Sequence, residues 1–124
     1  MSLIRVDNFG PSAGGTTYSA RGIAKAWVNF NGTGTVAVRD SENVSSLTDN
    51  GTGGYDVNYT TSFGSDYAAS GMCSDLGYGG VIYVVYDPAY FNSAYFRFFT
   101  FPNNVPASQA DAGIISITTH GDLA

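Results

Sequence analysis

From Ala24 to Phe30 the side chains alternate in kind, with Ala24, Ala26, Val28 and Phe30 on one parity and Lys25, Trp27 and Asn29 on the other. A period of two is that of a β-strand whose faces meet different surroundings. The next residues, Asn31-Gly32-Thr33-Gly34, write a reversal, in which Gly32 and Gly34 permit positive φ and Asn31 tolerates it. With a second strand over Thr35 to Arg39 they predict a hairpin. The same reading places strands at Ile23 to Phe30, Val44 to Thr48, Tyr55 to Thr61, Tyr67 to Ser74, Val81 to Tyr86, Ala94 to Phe101 and Ile114 to His120. Between two of them, Asp49-Asn50-Gly51-Thr52-Gly53-Gly54 is dense in turn residues. In the strand that follows, Tyr55, Val57 and Tyr59 are expected to face inward, and Asp56, Asn58 and Thr60 to face water.

Two runs are apolar on both parities. Val81-Ile82-Tyr83-Val84-Val85-Tyr86 and Tyr95-Phe96-Arg97-Phe98-Phe99-Thr100-Phe101 read as neighbouring central strands, covered on one side by the core and on the other by something else, such as another subunit. Arg97 needs a partner there. Trp27, Val81, Tyr83, Phe96 and Phe98 are the candidate subunit-interface residues.

No stretch holds a helical period over several turns, so the predicted fold is all-β: an antiparallel, jelly-roll-like β-sandwich of about eight strands. It occupies residues 23–124 as a single domain. Residues 1–22, with Pro11, Gly14, Gly15 and small polar side chains, lack strand patterning and read as an extended attachment arm. Pro102-Asn103-Asn104-Val105-Pro106 breaks pairing before the last strand.

Composition narrows the function classes. The chain of 124 residues has 44% hydrophobic and 12% charged residues, so its polarity rests on Ser, Thr, Asn and Gly. Nine tyrosines and eight phenylalanines suit pleated surfaces and contact sites. The net charge is −5, and Arg5, Arg21, Lys25, Arg39 and Arg97 are dispersed, which argues against nucleic-acid binding. The longest apolar run is far too short to span a bilayer as a helix. Residues Met1 to Val6 lack a secretory-signal pattern, so synthesis in a cytoplasm is expected.

Candidate chemistry is sparse. Cys73 is the single cysteine and reads as a small buried hydrophobe. His120, the single histidine, has no nucleophile in a recognisable elbow to serve. Asp40 and Glu42 form the closest carboxylate pair and are expected to sit in a solvated turn. Asp49-Asn50-Gly51 carries oxygen ligands without the spacing of an EF-hand, so neither metal nor cofactor is expected. Tyr90 and Phe91, in the loop after Tyr86, and Tyr78, in a glycine-rich turn, are the candidate surface-recognition residues.

The string Lys25-Ala-Trp-Val-Asn-Phe-Asn-Gly-Thr-Gly-Thr, then Arg39-Asp-Ser, Asn43-Val-Ser-Ser-Leu-Thr-Asp-Asn-Gly-Thr-Gly, Tyr55-Asp-Val-Asn-Tyr-Thr-Thr and Tyr67-Ala resembles a module of small bacteriophage tail-fibre and virion structural proteins. The resemblance implies a non-enzymatic virion part made in the bacterial host cytoplasm: a homotrimeric, surface-displayed β-domain, tail fibre or receptor-binding component. Capsid decoration, as a cement or head-fibre protein, is the alternative. The implied partners are other virion proteins, held through the arm, and a carbohydrate or protein of the host surface. A carbohydrate-binding or carbohydrate-cleaving module is the rival from another class.

Overall fold

The computed structural model describes residues 7–10, 12–19, 22–64, 66–74, 80–83, 89, 92–102 and 108–124. These residues form ten strands and no α-helix. A two-stranded ribbon comes first, β1 (Asn8–Phe9) against β2 (Tyr18–Ser19), in antiparallel register. Part of the expected extended arm therefore folds back on itself. Two residues per strand are too few to leave an alternation in the sequence, which is why the pairing is not legible there.

Eight strands make the sandwich: β3 (Ala26–Asn31), β4 (Ala37–Glu42), β5 (Val44–Asp49), β6 (Gly54–Tyr59), β7 (Ala68–Ser74), β8 (Gly80–Tyr83), β9 (Tyr95–Pro102) and β10 (Ile114–His120). One sheet has the order β4-β3-β10-β7 and the other β5-β6-β9-β8, and every pairing among the described residues is antiparallel. The all-β sandwich read from the alternation is the fold.

The core is what the inward parities of the two sheets share. Ala26, Val28 and Phe30 of β3 and Ile115, Ile117 and Thr119 of β10 are buried on one sheet. Tyr55, Val57 and Tyr59 of β6 and Phe96, Phe98 and Thr100 of β9 are buried on the other. Phe30 meets the Tyr55 ring edge-on at 5.2 Å and Phe98 at 6.3 Å, joining the sheets at mid-core. Such pairs add about 0.5–1.5 kcal/mol beyond area burial. The buried threonines are satisfied: Thr100 Oγ1 donates to the Ala110 carbonyl at 2.6 Å, and Thr119 Oγ1 lies 3.1 Å from the Tyr59 hydroxyl. Among the described residues no buried side-chain nitrogen or oxygen lacks a partner.

Two turns differ in how they use glycine. Gly34 adopts φ 65°, as the reversal requires, whereas Gly32 answers a different need. A Cβ on Gly32 would run into the Tyr55 hydroxyl and stand 3.0 Å from the Ala112 carbonyl oxygen, so packing, not a left-handed backbone, excludes a side chain there. Gly53 answers to both constraints, with φ 67° and the Ala110 nitrogen and Thr100 oxygen each 2.8 Å from where its Cβ would be.

The chain passes from β4, an edge of one sheet, to β5, an edge of the other, through Asn43 alone. Asn43 has φ 54°, the one non-glycine positive φ among the described residues. Its amide ties the bend down: Oδ1 accepts from the Thr61 N–H at 2.7 Å, and Nδ2 donates to the Thr61 carbonyl at 3.1 Å. Asparagine tolerates the left-handed region better than most residues, and here its side chain holds it there.

Candidate interaction surface

Pleat parity decides which side of β9 faces out. With Phe96, Phe98 and Thr100 inward, Tyr95, Arg97, Phe99 and Phe101 lie on the outer face. The register then sets Phe99 opposite Tyr83 and Phe101 opposite Val81 on β8. Val81 is 47% exposed and Tyr83 57%, while Ile82, of the other parity, packs against the core. The Tyr83 ring meets Phe101 edge-on at 6.2 Å. Phe99 lies opposite Gly54 on β6, and its ring carbons come within 3.3 Å of where a Gly54 Cβ would stand. The glycine thus leaves room for the ring against the sheet.

Beside this apolar corner the face turns polar. Arg97 and Asp56 are directly paired, and the guanidinium grips the carboxylate with two prongs, Nε to Oδ1 at 2.5 Å and Nη2 to Oδ2 at 2.7 Å. This is the partner that Arg97 required, and it explains why Asp56, expected in water, is buried. Arg97 Nη2 also donates to Asn50 Oδ1 at 3.2 Å. Farther along, Asn58 Nδ2 donates to Thr48 Oγ1 at 3.0 Å and Ser46 Oγ at 3.2 Å on β5. The outer face of this sheet therefore grades from amide and hydroxyl groups, through a paired charge, to aliphatic and aromatic side chains. Apolar and aromatic side chains flanked by satisfied polar groups suit a contact surface.

The other sheet's outer face is built differently. Asn29 Nδ2 donates to Ser116 Oγ at 2.7 Å, Ser70 and Thr118 hydroxyls meet at 3.2 Å, and Arg39 Nη2 donates to the Gly113 carbonyl at 2.6 Å. Trp27 lies half-buried on that face, opposite Glu42 and Thr118.

The structure thus divides the five candidate interface residues. Val81 and Tyr83 come together, with Phe99 and Phe101, which the sequence reading left out. Trp27 is on the opposite broad face. Phe96 and Phe98, at 1% and 0% exposure, are core residues stacked at 5.8 Å, and their own domain already covers them. The run 95–101 is apolar on both parities, so the sequence left its inward side open; the register against Val57 and Tyr55 decides it. Tyr78, Tyr90 and Phe91 lie outside the described residues.

The titratable candidates are engaged structurally or stand apart. His120 Nδ1 lies 3.2 Å from the Gly22 carbonyl oxygen. Cys73 is buried on β7, and burial pushes its thiol pKa up, away from the reactive thiolate. Asp40 and Glu42 are exposed within β4 rather than in a turn, because Asn43 alone makes the bend. Asp111 Oδ1 accepts from the Gly53 N–H at 2.6 Å and from the Tyr55 hydroxyl at 2.8 Å. Burial first, and that carboxylate second, push the Tyr55 pKa well above the tyrosine range. An open groove of about 460 Å³ at the Asn43 corner is lined by Lys25, Glu42, Asn43, Thr61 and Leu123 among others. Among the described residues there is no group of three or more His, Cys, Asp or Glu placed to hold a metal, and no helix long and apolar enough to cross a membrane. Comparison with known protein families, curated proteins and solved structures finds no match to this chain.

Proposed function

We propose that this chain is a non-enzymatic structural and interaction domain of a bacteriophage particle, displayed at its surface as a self-associating tail-fibre or receptor-binding component. The outer face of β8 and β9 is its contact surface. The observation that carries the reading is the outer-face corner of exposed Val81 and Tyr83 with half-buried Phe99 and Phe101, flanked by the Arg97–Asp56 pair. A rigid sandwich holds these side chains on strands rather than on loops, which suits repeated docking without reordering. The module resemblance over Lys25 to Ala68 supports the virion setting.

Particles carrying Val81→Ser with Tyr83→Ser test it. Both side chains point outward, so folding and incorporation are expected to be retained while adsorption to host cells falls tenfold or more. Undiminished adsorption together with leaky, fragile heads would move the domain to capsid decoration. Release of reducing sugar from host polysaccharide by the purified chain would overturn the non-enzymatic reading.

A further inference from the structure

The two open sides of the sandwich differ in charge. β4 carries Arg39, Asp40 and Glu42, with a register shift opposite Asn29 and Phe30, and β5 ends in Asp49. Charges and bulges on an edge strand oppose its pairing with another chain. β7, at the far edge of the first sheet, reads Ala-Ala-Ser-Gly-Met-Cys-Ser, seven residues without a charge. It pairs with β10 on one side and, among the described residues, with no strand on the other. Across the sandwich β8 is uncharged too. Met72 projects from the outer face at 71% exposure, beside a depression of about 200 Å³ lined by Ser70, Gly71, Met72, Ser116 and Thr118.

We propose that β7 is a self-pairing edge, to which β7 of a second copy of this chain adds antiparallel about a two-fold axis at Gly71. That register sets Met72 opposite the partner's Ser70, Ala69 opposite the partner's Cys73 and Ala68 opposite the partner's Ser74. Opposed residues share a face, so each Met72 falls beside the other copy's depression, and each copy supplies one knob and one hole. No like charges meet. The same operation on β4, centred on Ser41, would set Asp40 against the partner's Glu42, and β8, though uncharged, has four strand residues against seven on β7. The inference rests on the reading of the chain as self-associating, but it uses another surface than the Tyr83 corner and gives two copies where the module resemblance implies three.

Sedimentation of the purified chain tests it. The expected species has twice the 13.0 kDa protomer mass. Ser70→Lys with Met72→Lys, both at outward exposed positions, should halve that mass, leave the circular dichroism spectrum unchanged and make the melting midpoint independent of protein concentration. Val38→Lys, on the charged side, should leave the pair intact. Ser70→Cys with Met72→Cys should oxidise to a covalent dimer on a non-reducing gel, since directly opposed strand residues come close to disulfide reach. A trimer, or a dimer that survives the lysine pair and is lost in Tyr83→Ser, would overturn the β7 pairing and keep the self-associating reading. A wild-type monomer at high concentration would overturn both.

Discussion

Tyr55 and Tyr59 share one face of β6, yet the ends of the core they occupy are closed by different physics. At the first end the closing segments are the turn after β5 and residues 110–113, whose peptide groups need partners. Tyr55 and Asp111 supply them: the Tyr55 hydroxyl lies 2.8 Å from Asp111 Oδ1 and 3.0 Å from the Gly32 carbonyl oxygen, and Asp111 also holds the Gly53 N–H. At the second end rings do the closing. Tyr59 meets Phe63 edge-on at 4.8 Å and Tyr67 edge-on at 5.7 Å, and Phe63 stacks on Tyr67 at 4.6 Å. The tail then clips over them, with Phe63 bridged to Leu123 and the Ala124 N–H donating to the Ser62 carbonyl. Direction fixes one end and volume the other.

Breaking the ring end should cost most. Phe63→Ala empties a fully buried site, and a loss of about 3–5 kcal/mol in urea unfolding is expected. Faster hydrogen exchange at the Gly64 and Ala124 amides should accompany it. Asp111→Ala removes one acceptor from two donors and should cost about 2–3 kcal/mol, with Asp111→Asn recovering part of it. Equal costs for Asp111→Ala and a surface control would show that the polar end is passive.

Smaller still is the contrast between the two hydroxyls. Tyr55→Phe leaves the Asp111 carboxylate and the Gly32 carbonyl short of a donor and should cost about 1–2 kcal/mol, against about 1 kcal/mol for Tyr59→Phe, whose lost partners are the Thr119 and Tyr67 hydroxyls. The smallest effect is alkaline. Burial raises the pKa of both tyrosines above the ordinary 10.0, so both stay neutral in the fold while the unfolded chain ionises. Their stabilisation is whole below pH 10 and declines as pH rises past it, by about 0.4 kcal/mol per ring at pH 10 itself. Unfolding midpoints between pH 8 and 11 should fall, and fall less steeply in Tyr55→Phe.

Alternation, or for β8 and β9 a run apolar on both parities, set between turn-rich pieces, made the eight sandwich strands legible. The last strand, Ile114–His120, has the expected bounds, and Tyr55, Val57 and Tyr59 point inward as their parity requires. What stayed hidden depends on residues far apart in the chain. Gly32 is kept small by a hydroxyl 23 positions away. Asp56 and Arg97 find each other through a register that no local pattern states. The contact corner was half legible: Val81 and Tyr83 are exposed on an apolar strand, but Phe99 and Phe101 could be separated from Phe96 and Phe98 only once β6 had chosen a side of β9.

The bend at Asn43 has a practical consequence. A joint of one residue stores no slack, so an inserted residue would invert the alternation of everything after it and swing Leu47 away from the interior it packs against. Foreign epitopes grafted there would dismantle the scaffold. Thr33, Gly34 and Thr35, all exposed at the tip of the β3–β4 hairpin, offer the berth where such cargo could be carried and shown.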